Sequence, residues 1–68
     1  MQISARNQLK GTVTSVTTGT VMAEVAVDVG GQEVVAAITR TSAEGLDLTK
    51  GDDVTVIIKA TEVILAKE

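Results

Sequence analysis

The chain has 68 residues, a formal net charge of −3, and no Cys, His, Phe, Tyr or Trp. This length allows one domain, residues 1–68, with a small core. The absence of Cys and His excludes disulfides, thiol or imidazole catalysis and the ordinary zinc site. The acidic charge and the lack of aromatic rings argue against nucleic-acid binding, which needs a basic surface and often uses stacking.

The composition predicts an oligomer. The chain is 44% hydrophobic, yet it lacks the aromatic residues that contribute most to a small core. A short chain without disulfides or a structural metal usually needs partner subunits, so we expect a homo-oligomer with apolar faces buried between its subunits. No apolar run is long enough to cross a membrane and no leader-like segment opens the chain, so we expect a cytoplasmic protein without a membrane partner.

The N-terminal third predicts an arm followed by a strand. Residues 1–7 contain a single large branched side chain and are expected to be extended. Apolar and polar residues alternate over residues 9–16, which predicts strand one, and Gly11 indicates a bulge or a close backbone approach. Residues 17–19 interrupt the alternation and predict a turn.

The middle of the chain predicts a β-hairpin. Residues 21–29 alternate with period two, which predicts strand two. Gly30-Gly31 follows at once, and paired glycines at this position are typical of a tight hairpin turn. Residues 32–39 predict strand three, whose centre is apolar on both faces, so we expect a neighbouring subunit to cover the second face.

The last third predicts a short helix and two strands. Residues 41–44 have the Thr-x-x-Glu pattern of a capping box, and Gly45 limits the helix to one or two turns. Strand four is predicted at residues 54–59, a corner at residues 60–62, and a short strand five at residues 63–65. This order favours an all-β, five-stranded OB-fold-type Greek-key barrel with one short helix between strands three and four; an SH3-like barrel is the alternative.

Two short segments are rich in hydrogen-bond donors. Ser4-Ala5-Arg6-Asn7 combines a hydroxyl, a guanidinium and an amide, and Lys59-Ala60-Thr61 combines an ammonium and a hydroxyl. Donors of these types, together with free backbone N–H groups, are what a tetrahedral oxyanion requires. Because the first and last strands of a barrel can be neighbours, the two segments can meet within one chain or across a subunit boundary.

Other interpretations stay open at this point. Ser4 and Arg6 also fit a solvated strand cap and a surface charge, and Lys59 fits a snorkelling side chain. The protein would then be a small oligomerisation module without a ligand, or a binder of another tetrahedral oxyanion such as sulfate. Asp52-Asp53 is typical of a turn, so we predict no metal-cation site.

Four segments with matching spacing carry a family resemblance: SARNQLKG at residues 4–11, AIT at 37–39, SAEGL at 42–46 and IKAT at 58–61. With these motifs the whole chain resembles the molbindins, the single-domain Mop proteins. The resemblance implies one Mop domain with an OB fold, assembled as a hexamer that is a trimer of dimers. It also implies storage or buffering of molybdate or tungstate between subunits, with no cofactor and no enzymatic activity.

The resemblance also implies site residues. Carried over residue by residue, the oxyanion contacts are Ser4, Ala5, Arg6, Asn7, Thr39, Lys59, Ala60 and Thr61. For Asn7, holding the arm is the alternative to touching the ion. The family has a second kind of pocket near its three-fold axis, and the candidate lining residues for it are Gly19, Thr20 and Val21.

Overall fold

The computed structural model describes all 68 residues and contains one antiparallel sheet. Its elements are β1 (Asn7–Thr18), β2 (Met22–Val29), β3 (Gln32–Thr39), the helix α1 (Arg40–Gly45), β4 (Asp53–Ile58) and a 3₁₀ turn (Ala60–Glu62). The strands lie in the order β3-β2-β1-β4, which is the Greek-key arrangement. The predicted all-β Greek-key topology with a short helix after strand three is confirmed.

The hairpin between β2 and β3 forms as its sequence predicts. Gly30 and Gly31 have φ values of 58° and 88°, a conformation that side chains other than glycine rarely adopt. The Asp28 carboxylate accepts a hydrogen bond from the Gly31 N–H at 3.1 Å and closes the turn. Along β2, Ala23, Val25 and Val27 are each 3% exposed, so these alternate side chains are buried in the core as period two predicts.

Gly11 allows a close approach between neighbouring strands. A Cβ atom at this position would lie 2.6 Å from Val27 Cγ1 and 2.7 Å from the backbone oxygen of Asp28. The bulge itself falls two to four residues later, between Val13 and Ser15 in the register of β1 with β2. Of the two predicted roles for Gly11, close approach is therefore the one that the structure assigns to it.

The helix begins earlier than its sequence pattern predicts. Its N-cap is Thr39, whose hydroxyl accepts a hydrogen bond from the Ser42 N–H at 3.0 Å. The prediction of a capping box starting at Thr41 is wrong because Thr39, the last residue of β3, already supplies the cap. α1 has six residues, and no helix in the structure is long and apolar enough to cross a membrane.

The predicted fifth strand is not formed within the chain. Residues 63–68 follow the 3₁₀ turn without any strand pairing, and Ile64 and Leu65 are 92% and 89% exposed. A strand is stabilised by hydrogen bonds to a neighbouring strand, and this segment has no strand of its own chain beside it. The single chain therefore has four strands rather than five, and its apolar tail is in solvent.

The core is small for a chain with this many apolar residues. Only six of the 68 residues are buried. The centre consists of Val13, Val25 and Val27, against which a ring of half-buried residues packs. Many large apolar side chains remain exposed, namely Met1, Ile3, Leu9, Val21, Met22, Val35, Leu46, Val63, Ile64 and Leu65.

Candidate anion-binding site

The pairing of β1 with β4 brings the two donor-rich segments together. The ladder between these antiparallel strands runs from Thr12–Asp53 to Asn7–Ile58. Residues 4–6 precede Asn7 and residues 59–61 follow Ile58, so both segments leave the sheet at the same end. Together with Ile3 and Ile57 they line one open depression of about 620 Å³.

The charges in this depression are all positive. It contains the Arg6 guanidinium and the Lys59 ammonium, and no Asp or Glu side chain lines it. The other three main depressions each include carboxylates: Asp28 and Asp53 in one, Glu44 in the second, and Asp52 and Asp53 in the third. Although the protein as a whole is acidic, the local potential at the arm favours an anion.

Several backbone N–H groups around the depression are free to donate hydrogen bonds. The carbonyl of Ala5 accepts a hydrogen bond from Gln8 Nε2 at 2.8 Å. The carbonyls of Lys59 and Ala60 accept hydrogen bonds from the N–H groups of Glu62 and Val63, at 2.9 and 3.3 Å. In contrast, the N–H groups of Ala5, Arg6 and Lys59 donate to no backbone carbonyl. Such unpaired N–H groups are suited to the oxygens of an anion.

Asn7 lies beside the depression but does not line it. Its side-chain Nδ2 donates a hydrogen bond to the carbonyl oxygen of Ile58 at 3.1 Å. This bond joins the residue after Arg6 to the residue before Lys59. Gln8, which is not one of the predicted site residues, similarly donates its side-chain N–H to the Ala5 carbonyl.

Thr39 lies in a different part of the molecule. With Thr20, Val21 and residues of α1 it lines a second open depression, also about 620 Å³. Within one chain the structure therefore groups Thr39 with the candidate second pocket and not with the arm. Its hydroxyl is already bonded to Ser42, whose Oγ lies 2.7 Å away.

The cation of this second depression is already paired. Arg40 Nε donates to the Glu44 carboxylate at 2.6 Å, and an Arg40 Nη1 donor lies 3.5 Å from the Gly19 carbonyl oxygen. Neither Arg40 nor Glu44 was among the candidate site residues, although opposite charges four residues apart on a helix indicate such a pair. The second depression therefore offers an anion fewer free donors than the arm does.

Comparison with known proteins gives a consistent match over nearly the whole chain. The model of the TOBE domain family matches residues 3–65. Among curated proteins, molybdenum-pterin-binding protein 3 of Clostridium pasteurianum is 46% identical over 66 residues. That match covers 96% of this chain and 97% of the relative.

Solved structures agree with this result. The molybdate-binding protein of Sporomusa ovata superposes with a TM-score of 0.94 at 51% identity, covering 98% of this chain and all of that one. The cytoplasmic molybdate-binding protein ModG, in a form with molybdate bound, superposes with a TM-score of 0.84 at 44% identity. There the match covers 88% of this chain and 43% of ModG. These similarities confirm the predicted OB-type fold class.

Proposed function

We propose that this chain binds molybdate or tungstate in the depression between residues 3–6 and 59–61. The chain belongs to the molbindin (Mop) family of TOBE domains. It stores or buffers the oxyanion and catalyses no reaction. The proposal rests on one observation above all, the presence of Arg6 and Lys59 in a depression without carboxylates. The molybdate named for the similar structures supports the choice of ligand.

In this proposal the side chains of the depression bind the anion in different ways. The guanidinium of Arg6 and the ammonium of Lys59 match the two negative charges of a tetrahedral dianion, and both are donors only. The hydroxyls of Ser4 and Thr61 rotate to donate to further oxygens. Ala5 and Ala60 have small side chains, which leaves the anion room to approach the backbone N–H groups.

A neighbouring subunit completes the site in this proposal. The depression is open and far larger than one tetrahedral ion, and Ser4 and Arg6 are exposed to solvent. Charge interactions strengthen when water is excluded, so closure by a partner would raise affinity. Ile3 at the depression and Ile64 and Leu65 beyond it are exposed apolar residues of the kind that subunit contacts bury.

The assembly and the remaining candidate residues follow from the same premise. We expect a hexamer, a trimer of dimers, in which Thr39 and residues 19–21 lie at further subunit junctions. Residues 19–21 would line the second kind of pocket there. Thr39 would either line that pocket too or lie close to residues 1–7 of another subunit. A cytoplasmic location is supported by the description of ModG as cytoplasmic.

Calorimetric titration with tungstate tests the proposal. We expect the protein to bind tungstate and the Arg6→Ala variant to bind it about 100-fold more weakly, since a hydrogen bond to a charged group contributes on the order of 1.5–3 kcal/mol. Lys10→Ala is the matched control, because Lys10 is also an exposed cation near the same end of the chain but lies beside Asp28 and Asp53. Equal affinities for the two variants would contradict the proposed role of Arg6.

Two further measurements separate the alternatives. Competition with sulfate distinguishes a molybdate or tungstate site from a general tetrahedral oxyanion site, and we expect sulfate at the same concentration to displace little tungstate. A ligand that binds only the folded protein must raise its melting temperature. An unchanged melting temperature in millimolar tungstate would favour an oligomerisation module without a ligand.

A further inference from the structure

The hydrogen bond from Asn7 to Ile58 is the last link between the two halves of the depression. Asn7–Ile58 is the final pair of the ladder between β1 and β4. The side-chain bond, 3.1 Å long, joins residues that are 51 positions apart in the chain. Beyond this pair the arm and the segment after β4 share no backbone hydrogen bond. Asn7 is half-buried, so water competes only partly for this bond.

The bond orients the peptide group from which Lys59 begins. In a trans peptide the carbonyl and the following N–H point in opposite directions. Fixing the Ile58 carbonyl toward Asn7 therefore turns the Lys59 N–H away from β1 and leaves it free, as the hydrogen-bond pattern shows. The same peptide group sets the direction in which the Lys59 side chain leaves the strand.

The bond also opposes a repulsion. Arg6 and Lys59 share one depression with no carboxylate, so the two cations repel each other when no anion lies between them. Without the side-chain bond, only the backbone pairing of Asn7 with Ile58 would hold the two segments beside each other, and their positions would be less fixed. Binding an anion would then require this part of the site to be ordered, which weakens affinity.

We propose that Asn7 is the positioning residue of this site. Its amide fixes the Ile58–Lys59 peptide and so holds Lys59 beside Arg6, without touching the anion. This inference rests on the proposed function. It is supported by the engaged Nδ2 atom and by the absence of Asn7 from the lining of the depression.

The test compares two variants that each lose one side-chain hydrogen bond from β1. Asn7→Leu removes the bond to Ile58, and Thr14→Val removes the bond from Thr14 Oγ1 to the Ala26 carbonyl, 3.2 Å long and remote from the depression. Tungstate affinity is measured by calorimetry at 25 °C, and melting temperature by calorimetry without ligand. We expect both variants to melt somewhat lower. Asn7→Leu should bind tungstate on the order of tenfold more weakly, as when an orienting partner is lost, and Thr14→Val should bind it unchanged.

A second readout uses the unmodified protein and does not depend on the variant folding. In ¹H–¹⁵N spectra, saturating tungstate should shift the backbone amide of Lys59 strongly and the side-chain amide of Asn7 only slightly. A large shift of the Asn7 side chain would make it a direct ligand and overturn its positioning role, as would unchanged affinity in Asn7→Leu. Absence of tungstate binding to the unmodified protein would instead overturn the proposed function, and this inference with it.

Discussion

Replacement of Gly11 by Ala should destabilise the protein without touching the proposed site. The added Cβ would lie 2.6 Å from Val27 Cγ1, 2.7 Å from the Asp28 backbone oxygen and 3.0 Å from Val29 Cγ2. The Asp28 oxygen cannot move away freely, because Asp28 is paired with Thr12 on one side and Glu33 on the other. The strain must therefore be taken up by the strands themselves.

The size of the effect follows from two opposing terms. Overpacking of this kind costs about 1–3 kcal/mol, and contact with backbone in a paired strand places Gly11→Ala toward the upper end. Ala also has less conformational freedom than Gly in the unfolded chain, which stabilises the folded protein by about 0.4–1 kcal/mol. We expect a net loss of about 2 kcal/mol, which lowers the melting temperature by roughly 8–16 °C in a domain of this size.

Gly45→Ala is the matched control for this prediction. Apart from its chain neighbours and the backbone of its own helix, no atom lies within 4 Å of a Cβ at Gly45, which ends α1, and its φ is not positive. Ala should stabilise a helical position by roughly 0.5–1 kcal/mol. Both variants are compared by scanning calorimetry at equal protein concentration and without oxyanion, since assembly and ligand both raise the melting temperature. If Gly11→Ala melts no lower than the unmodified protein, the close approach of β1 and β2 is not a constraint on stability.

Two other variants test the parts of the fold that differ from the sequence prediction. Thr39→Val removes the cap of α1 and should lower the free energy of unfolding by about 1 kcal/mol; Thr39→Ser, which keeps the hydroxyl, should be nearly neutral, and equal losses would refute the capping role. Deletion of residues 63–68 should reduce the number of subunits in the assembly, obtained from its mass by light scattering, because it removes the exposed Ile64 and Leu65. Deletion of Lys67 and Glu68 alone should leave the number of subunits unchanged, and an unchanged number after the longer deletion would contradict the role of residues 63–65 in assembly.

The sequence predicted those elements whose pattern is local. Period two in β2 and the paired glycines at residues 30–31 require no knowledge of the rest of the chain, and both predictions are confirmed. β1 is longer than its alternation indicates, because residues 17 and 18 pair with β2 despite the turn-like sequence at that point. Register with a neighbouring strand, and not residue type, decides where such a strand ends.

The incorrect predictions concern segments whose structure depends on another part of the chain. Residues 63–65 have the apolar composition of a strand, but no strand of the same chain lies beside them. At the helix, Thr39 and Thr41 are equally good caps by type, and only the end of β3 selects the former. For the candidate site, donor chemistry identified both segments, whereas the hydrogen bond of Asn7 to Ile58 depends on the register of β1 with β4 and is not visible in the sequence.

A crystal structure of the protein grown with tungstate tests the central claim most directly, because the heavy atom locates every bound ion. We expect tungstate between residues 3–6 and 59–61, with the Arg6 guanidinium, the Lys59 ammonium and free backbone N–H groups on its oxygens and a second subunit closing the depression. Tungstate bound only elsewhere on the protein, or no bound tungstate at saturating concentration, would contradict the account.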